Sequence, residues 1–299
     1  MVFINAIPGA VSQGLIWAIM AIGVFITYKI LDFADLTVDG SLCTGAAVCA
    51  VLVSNGVHFS VALFAAFAAG LVCGVVTGLL HTAMGIPAIL SGILTQLALW
   101  SVNLKIMGQA TLSVSGRKFV LLVTSLDNVK TIIIMAVIVS AVVAVLYWFF
   151  GTQLGSAVRA TGCNQSMARA QGINTSLAKV LALALSNGLV ALSGALLCQY
   201  QGFADINMGR GAIIIGLAAV IIGGAIVSKI GSNFAVKLAG VAVGAIVYFL
   251  VYQFVVCLGL DTDLLKLLSA AVVALFLAVP HFKSKLARKK AVAKLNKED

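Results

Sequence analysis

Nine continuous apolar segments constrain this chain more than any other feature of its sequence. They fall at about 10–28, 38–54, 58–82, 87–108, 130–150, 176–200, 211–228, 236–258 and 263–280. A helix needs about 20 apolar residues to cross the hydrocarbon core of a membrane. In lipid only helices and closed barrels satisfy the backbone, and these runs lack the alternating polarity of barrel strands. The sequence therefore predicts an all-α, polytopic membrane protein with about nine transmembrane helices.

The composition excludes the other classes of chain. Hydrophobic residues make up 62% and charged residues 9% of the 299 residues, against about 45–50% and about 25% in soluble domains. The chain has too few polar groups to cover the surface of a soluble fold. It is also too apolar to be intrinsically disordered. Small residues at helical spacing predict close packing between helices in lipid, and these are Gly70, Gly74, Gly78, Gly216, Ala219, Gly223, Gly240 and Gly244.

A basic tail predicts the orientation in the membrane. Residues 281–299 hold two acids and seven bases, namely Lys283, Lys285, Arg288, Lys289, Lys290, Lys294 and Lys297. Such a run beside a membrane helix favours a cytoplasmic tail on anionic lipid over nucleic-acid binding. Nine helices then place the N-terminus outside, the loops 109–129 and 201–210 outward, and the loops 151–175 and 229–237 inward. Residues 1–280 form the transmembrane domain in this scheme.

Several kinds of chemistry have no motif in this chain. The phosphate loop GxxxxGK[ST], the GxSxG elbow and HExxH do not occur, so neither P-loop ATP binding nor these catalytic sites are expected. The three histidines are scattered, and the six cysteines form no CxxC pair. We expect no catalytic residue, no metal site and no enzymatic activity in this chain.

An acidic segment at 32–41 is the first candidate functional feature. It holds three of the nine acids and separates two apolar segments. It is either a polar turn at the cytoplasmic surface or a broken helix that lines a translocation path. In the second interpretation Asp39 can cap the helix that Gly40 opens. The candidate path residues are Asp35, Thr37, Asp39 and Ser41, together with Gln96 and Asn103 from the fourth segment, whose polar positions suggest a re-entrant or path-lining element.

A similar polar segment occurs later in the chain. Residues 202–211 contain glycines and precede a helix rich in small residues, as residues 32–41 do. Inverted repeats with broken helices are common in transporters. The two segments would suit such a repeat.

Two loops carry charges that suit a partner. The inward loop 151–174 favours a short cytosolic helix over 157–171 with Arg159 and Arg169, which is either a connector or a docking helix for a soluble partner. The outward loop 109–128 holds Arg117 and Lys118 against the expected charge bias. Either the membrane topology tolerates these two bases in an outward loop, or they form a docking contact with acidic lobes of an extracytoplasmic protein.

The inward loop resembles a known segment. LGSAVRATGCNQSMARAQGIN, residues 154–174, is similar to the cytoplasmic coupling segment of ABC importer permeases of the branched-chain amino acid/ribose class. DLTVDGS at 35–41 resembles the acidic motif of that class, and the segments 87–108 and 258–280 resemble its tryptophan/tyrosine-type subgroup. The matching coupling positions are Gly155, Arg159, Ala160, Gly162, Asn164, Ala168, Gly172, Ile173 and Asn174, to which we add Arg169.

The resemblance implies a function that composition alone does not give. It implies a permease domain over 1–280 with a coupling loop at 151–175, in a homodimer in the bacterial plasma membrane. Two cytoplasmic ATPase subunits would bind ATP and magnesium, and a substrate-binding protein would deliver a small polar metabolite, an aromatic amino acid first. Arg159 would contact the ATPase, and Gly162 and Gly172 would turn the chain at the ends of the coupling helix. No cofactor is expected in this chain.

A different class of transporter stays open at this point. An ion-coupled secondary transporter would act without an ATPase, and it would need intramembrane charges. Asp32, Asp35 and Asp39 are its candidates, and we expect them near one face of the membrane.

Overall fold

The computed structural model describes residues 2–114, 121–227 and 233–257, together with the single positions 271 and 274. In these ranges the chain forms ten α-helices, one π-helical turn and two short strands. The helices are α1 (Val2–Phe25, continued by the π-helical turn Ile26–Ile30), α2 (Val38–Ser54), α3 (Phe59–Thr82), α4 (Ala88–Met107), α5 (Asn128–Gly151), α6 (Gln153–Cys163), α7 (Gln165–Ala170), α8 (Thr175–Gln201), α9 (Ala212–Val227) and α10 (Phe234–Cys257). The strands are β1 (Thr111–Ser113) and β2 (Phe203–Asp205).

The helical, polytopic fold class is confirmed. Eight of the nine predicted apolar segments coincide with helices, and the ninth, 263–280, lies outside the described residues. Within the described part, six helices are long and apolar enough to cross a membrane. The helices α2 and α9 have 17 and 16 residues, so each is only about 25 Å long against a hydrocarbon core of about 30 Å. The count of nine crossings is therefore not confirmed.

Two buried helices organise the bundle. The helix α8 packs against α1, α2 and α3, and α1 also packs against α9 and α10. The helices α1 and α8 are mostly buried, whereas α5 exposes most of its surface. The fourth predicted segment is one unbroken helix, α4, which packs against α2 and α3.

Glycines bring the backbones of α2, α3 and α8 into direct contact. A Cβ atom on Gly45 of α2 would overlap the carbonyl oxygen of Ala191 in α8. A Cβ on Gly74 of α3 would likewise overlap the carbonyl oxygen of Leu183. In lipid, where apolar side chains gain little by leaving solvent, such close packing is a main source of helix association.

A short hairpin-like contact joins two distant loops. The strands β1 and β2 pair antiparallel, with Thr111 opposite Asp205 and Ser113 opposite Phe203. These strands belong to the two loops that the charge distribution places on one side of the membrane. Arg117 and Lys118, in the first of these loops, lie outside the described residues, as does the basic tail 281–299.

The inward loop contains two helices, so the prediction of one helix over 157–171 is wrong. Asn164 has φ −159° and ψ 105° and separates α6 from α7. Its side chain accepts a hydrogen bond of 3.0 Å from the backbone N–H of Met167. An asparagine at this position favours the start of a new helix, because it satisfies an N–H that has no partner within the helix.

We expect a Gly74→Ala substitution to destabilise the bundle, because its methyl group would overlap the backbone of α8. Overpacking of this kind costs about 1–3 kcal/mol. Thermal unfolding of the purified protein in detergent measures the loss. The matched control is Gly151→Ala, where a Cβ meets no atom within 4 Å. Equal unfolding temperatures for the two variants would contradict the packing described here.

Candidate functional site

The two short helices meet at their N-termini. The carboxylate of Asp39, in the first turn of α2, accepts hydrogen bonds from the backbone N–H groups of Gly211 at 2.9 Å and Ile213 at 3.0 Å. These groups lie at the start of α9, where N–H groups lack partners within the helix and the helix dipole favours a negative charge. Asp39 therefore caps α9. The expectation that it caps its own helix is wrong, because its acceptors are engaged by a segment 172 residues later in the chain.

The segment before α2 is held by a second carboxylate. Asp35 accepts from the backbone N–H of Thr37 at 2.9 Å and from the side-chain amide of Asn187 at 2.7 Å. Ser41 donates its hydroxyl hydrogen to the same Asn187 side chain at 2.6 Å. All four residues are buried. Asn187 thus connects both ends of the acidic segment to α8.

A chain of hydroxyl groups connects the same segment to α3 and α4. The hydroxyl oxygens of Thr37 and Thr77 are 2.8 Å apart, and Thr77 donates to Thr95 at 3.0 Å. All three threonines are buried. The start of α2 is therefore tied to α3, α4 and α8 at once.

These contacts correct the expected depth of the acids. Asp35 bonds to Asn187, which lies at about the middle of the 27-residue helix α8. Gly40, next to Asp39, packs against Gln96 and Leu99 near the middle of α4. Asp35 and Asp39 therefore lie at mid-length of the long helices and not near one face, because the chain turns back into the bundle after the π-helical turn.

A pocket of about 200 Å³ opens beside the junction of α2 and α9. Asn103 is 1% exposed there, and its amide nitrogen donates to the carbonyl oxygen of Gly40 at 3.4 Å. Its side-chain oxygen is buried and has no hydrogen-bond partner among the described residues. The lining residues are Asp39, Gly40, Cys43, Gln96, Leu97, Trp100, Asn103, Ile206 and Arg210.

The structure divides the six predicted path residues into two groups. Asp39, Gln96 and Asn103 line the pocket, whereas Asp35, Thr37 and Ser41 lie in the buried hydrogen-bond clusters behind it.

Sequence reasoning missed Arg210 and Trp100 as lining residues. The available signal was the resemblance between the polar segments 32–41 and 202–211. The structure packs these two segments against each other, and Arg210 belongs to the second.

The inward segment 152–174 presents an exposed, well-capped pair of helices. Gly172 has φ +79° and its N–H donates to the carbonyl of Arg169 at 2.9 Å, so it forms the expected tight turn. Gly162 makes no turn, and that expectation is wrong. It lies inside α6, where a Cβ would overlap the carbonyl oxygen of Ile30, so it lets α6 contact the π-helical turn.

The two arginines of this segment have intramolecular partners that orient them. Arg159 donates to the carbonyl oxygen of Phe150 at 2.6 Å, and its guanidinium carbon is 5.9 Å from the centre of the Phe234 ring. Arg169 donates to the hydroxyl of Thr175 at 2.9 Å. Both side chains remain exposed.

The other coupling positions differ in exposure. Asn164 and Gly172 are exposed, Ala160, Gly162 and Ile173 are half-buried, and Gly155 and Ala168 are buried. No group of three or more His, Cys, Asp or Glu suited to a metal occurs within the described ranges.

We expect Asp39→Asn to weaken the attachment of α9, because an amide offers one acceptor oxygen where the carboxylate offers two. The loss of a cap costs about 0.5–2 kcal/mol, measured by thermal unfolding in detergent. Asp32→Asn is the matched control, since Asp32 is exposed and its φ of +54° suits asparagine. A variant at Asp39 as stable as the one at Asp32 would show that the cap is dispensable.

Comparison with known proteins identifies the family of this chain. Residues 7–277 match the family described as the branched-chain amino acid transport system / permease component. A tyrosine transport system permease protein of Clostridioides difficile (strain R20291) is 38% identical over 291 residues, which cover 97% of this chain and 96% of that protein.

Two further relatives extend the comparison. An uncharacterized protein of Rickettsia prowazekii (strain Madrid E) is 35% identical over 276 residues, covering 92% of this chain and 97% of that protein. The ribose import permease protein RbsC of Escherichia coli (strain K12) is 26% identical over 287 residues, covering 94% of this chain and 87% of that protein. The chain therefore belongs to the branched-chain amino acid transport permease family and is a multi-pass membrane permease component of an ABC-type import system for small substrates.

Proposed function

We propose that this chain forms, as a homodimer, the membrane path of an importer that takes up an aromatic amino acid. A cytoplasmic ATPase dimer binds ATP and magnesium, and an extracytoplasmic binding protein delivers the substrate. The family membership supports the ATPase and the binding protein as partners. The permease itself carries out no chemistry and needs no cofactor. We propose that it lies in the bacterial plasma membrane with its tail 281–299 in the cytoplasm, on anionic lipid.

The pocket between α2, α4 and the segment before α9 carries this proposal. It lies where two short helices begin inside the bundle, an arrangement that transporters use for substrate sites. Asp39, Gln96 and Asn103 line this pocket, and we assign them to the substrate path. Asp35, Thr37 and Ser41 hold the start of α2 in place behind it.

The chemistry of the pocket suits an amino acid. Arg210 offers a cation for a carboxylate, and Asn103 adds a polar side chain to the same wall of the pocket. Trp100 offers a flat ring against which an aromatic side chain can stack. The tyrosine transport permease at 38% identity supports the same class of substrate.

Ion coupling does not fit the two central carboxylates. Each accepts N–H groups that stabilise its place in the fold: Asp35 from Thr37 and Asn187, and Asp39 from Gly211 and Ile213. Groups with these structural partners are poorly suited to bind and release an ion in every cycle. The family membership also favours a partner ATPase over an ion gradient.

The helices α6 and α7 are the proposed contact with the ATPase. The helix α6 packs against the π-helical turn and α8, so a force on it reaches α1 and the centre of the bundle. Closure of the ATPase dimer would draw the two copies of this segment together and switch access by rigid-body motion. Arg117 and Lys118 are proposed to contact the binding protein on the other side.

We expect Arg159→Glu with Arg169→Glu to abolish the ATPase contact, because both exposed cations would become anions. The full chain, tagged at its C-terminus, is purified from its native host in mild detergent, and copurifying proteins are identified by mass spectrometry. A roughly stoichiometric nucleotide-binding-cassette ATPase should accompany the unmodified chain and be lost from the variant. Lys130→Glu, a charge reversal at the exposed start of α5, should retain it. Retention by all forms would contradict the docking role.

We expect Arg210→Gln to lower uptake of tyrosine at least tenfold in the reconstituted complex, since loss of a hydrogen bond to a charged group costs about 1.5–3 kcal/mol. Basal ATP hydrolysis should be unchanged. Arg210→Lys keeps the charge and should restore part of the uptake. Full uptake by the Gln variant would remove Arg210 from the path while leaving the ATPase contact untouched.

A further inference from the structure

A second cavity, of about 490 Å³, lies where α1, α6, α9 and α10 converge. Three cations line it: Lys29 from the π-helical turn, Arg159 from α6 and Lys237 from α10. The lining residues that the structure describes include no carboxylate. The volume falls within the range of about 300–1,000 Å³ that is typical of ligand sites. The cavity therefore has the charge and the size to hold an anionic ligand.

The rest of the cavity wall is apolar. Phe25, Val220, Phe234 and Val241 line it beside the three cations. Such walls offer nothing to a small hydrated anion but suit a hydrocarbon chain. A ligand that matches both parts is amphipathic, with a negative headgroup and an apolar body.

The position of the cavity fits the membrane–water boundary. Lys29 lies at the end of the π-helical turn that continues α1, and Lys237 lies in the first turn of α10. Val227, the last residue of α9, also lines the cavity. Three helices thus begin or end at this cavity. Because membrane helices end near the layer of phospholipid headgroups, we place the cavity at that depth. Lysine side chains at helix ends extend toward this layer.

Arg159 is oriented before any ligand arrives. Its bond to the carbonyl of Phe150 and its contact with the Phe234 ring hold the guanidinium at the cavity. A guanidinium has five N–H donors, so these contacts leave capacity for a phosphate oxygen. Lys29 and Lys237 are exposed, and each adds a mobile ammonium group.

We propose that this cavity binds one anionic phospholipid, with its headgroup phosphate between Lys29, Arg159 and Lys237 and an acyl chain along the apolar wall. Basic pockets between membrane helices recognise lipid headgroups in this way. The site is separate from the substrate pocket and from the basic tail, and it does not depend on the transported substrate. It shares Arg159 with the proposed ATPase contact, so its test changes only Lys29 and Lys237. A free phosphate ion would use the cations but leave the apolar wall without a partner.

The test uses the purified full chain in a neutral detergent and follows its unfolding temperature during lipid titration. Phosphatidylglycerol should raise the temperature saturably, whereas phosphatidylcholine and soluble glycerol phosphate should not. Lys29→Gln with Lys237→Gln should weaken the apparent affinity for phosphatidylglycerol by about 30-fold, given the contribution of each basic residue near an anionic surface. Lys29→Arg with Lys237→Arg should restore it.

The controls separate this site from other lipid contacts. Every variant keeps the tail 281–299, so a difference between variants reflects the cavity alone. Lys105→Gln removes an exposed lysine from α4, away from the cavity, and should leave the affinity unchanged. An unchanged affinity in the Lys29/Lys237 variant would overturn the proposal. Equal stabilisation by glycerol phosphate would also overturn it, because the site would then bind a free anion.

Discussion

The hydrogen bonds from the start of α9 to Asp39 are the constraint on which the centre of this protein depends. Two helices begin inside the bundle, and each presents N–H groups that lipid cannot satisfy. Asp39 accepts the N–H groups of α9, and Asp35 accepts one at the start of α2. Because both helices are short, their beginnings leave room for a polar pocket at this depth. The carboxylates therefore have a structural role, because they allow two helices to begin beside a pocket inside the bundle.

Close backbone packing holds this polar centre in register. The contacts of Gly45 and Gly74 with α8 position α2 and α3 on the helix that carries Asn187. At that separation one short asparagine side chain bonds to both Asp35 and Ser41. Helix packing by small residues and hydrogen bonding by buried polar residues are thus two aspects of one arrangement.

Hydropathy predicted most of the fold and less of the site. An apolar run is a local property, so eight segments could be located from sequence. The partner of Asp39 lies 172 residues away, and no local pattern reveals it. Arg210 was not predicted to line a site, because the count of basic residues assigns its loop to the membrane surface. In the structure this loop returns to the interior of the bundle. The cap at Asn164 was a local signal and could have divided the inward segment into its two helices.

The distance in sequence between Asp39 and its partners has a consequence for biosynthesis. Ribosomes add about 5–20 residues per second, so α2 is made about 10–30 s before the start of α9, 172 residues later. During that interval a carboxylate in hydrocarbon is costly, and it has to stay protonated, hydrated or shielded by the insertion machinery. A nascent chain that ends before residue 211 leaves this acid without its N–H donors. Such a chain keeps an intramembrane acid without its native partners, a feature by which membrane quality control can distinguish it from the finished protein.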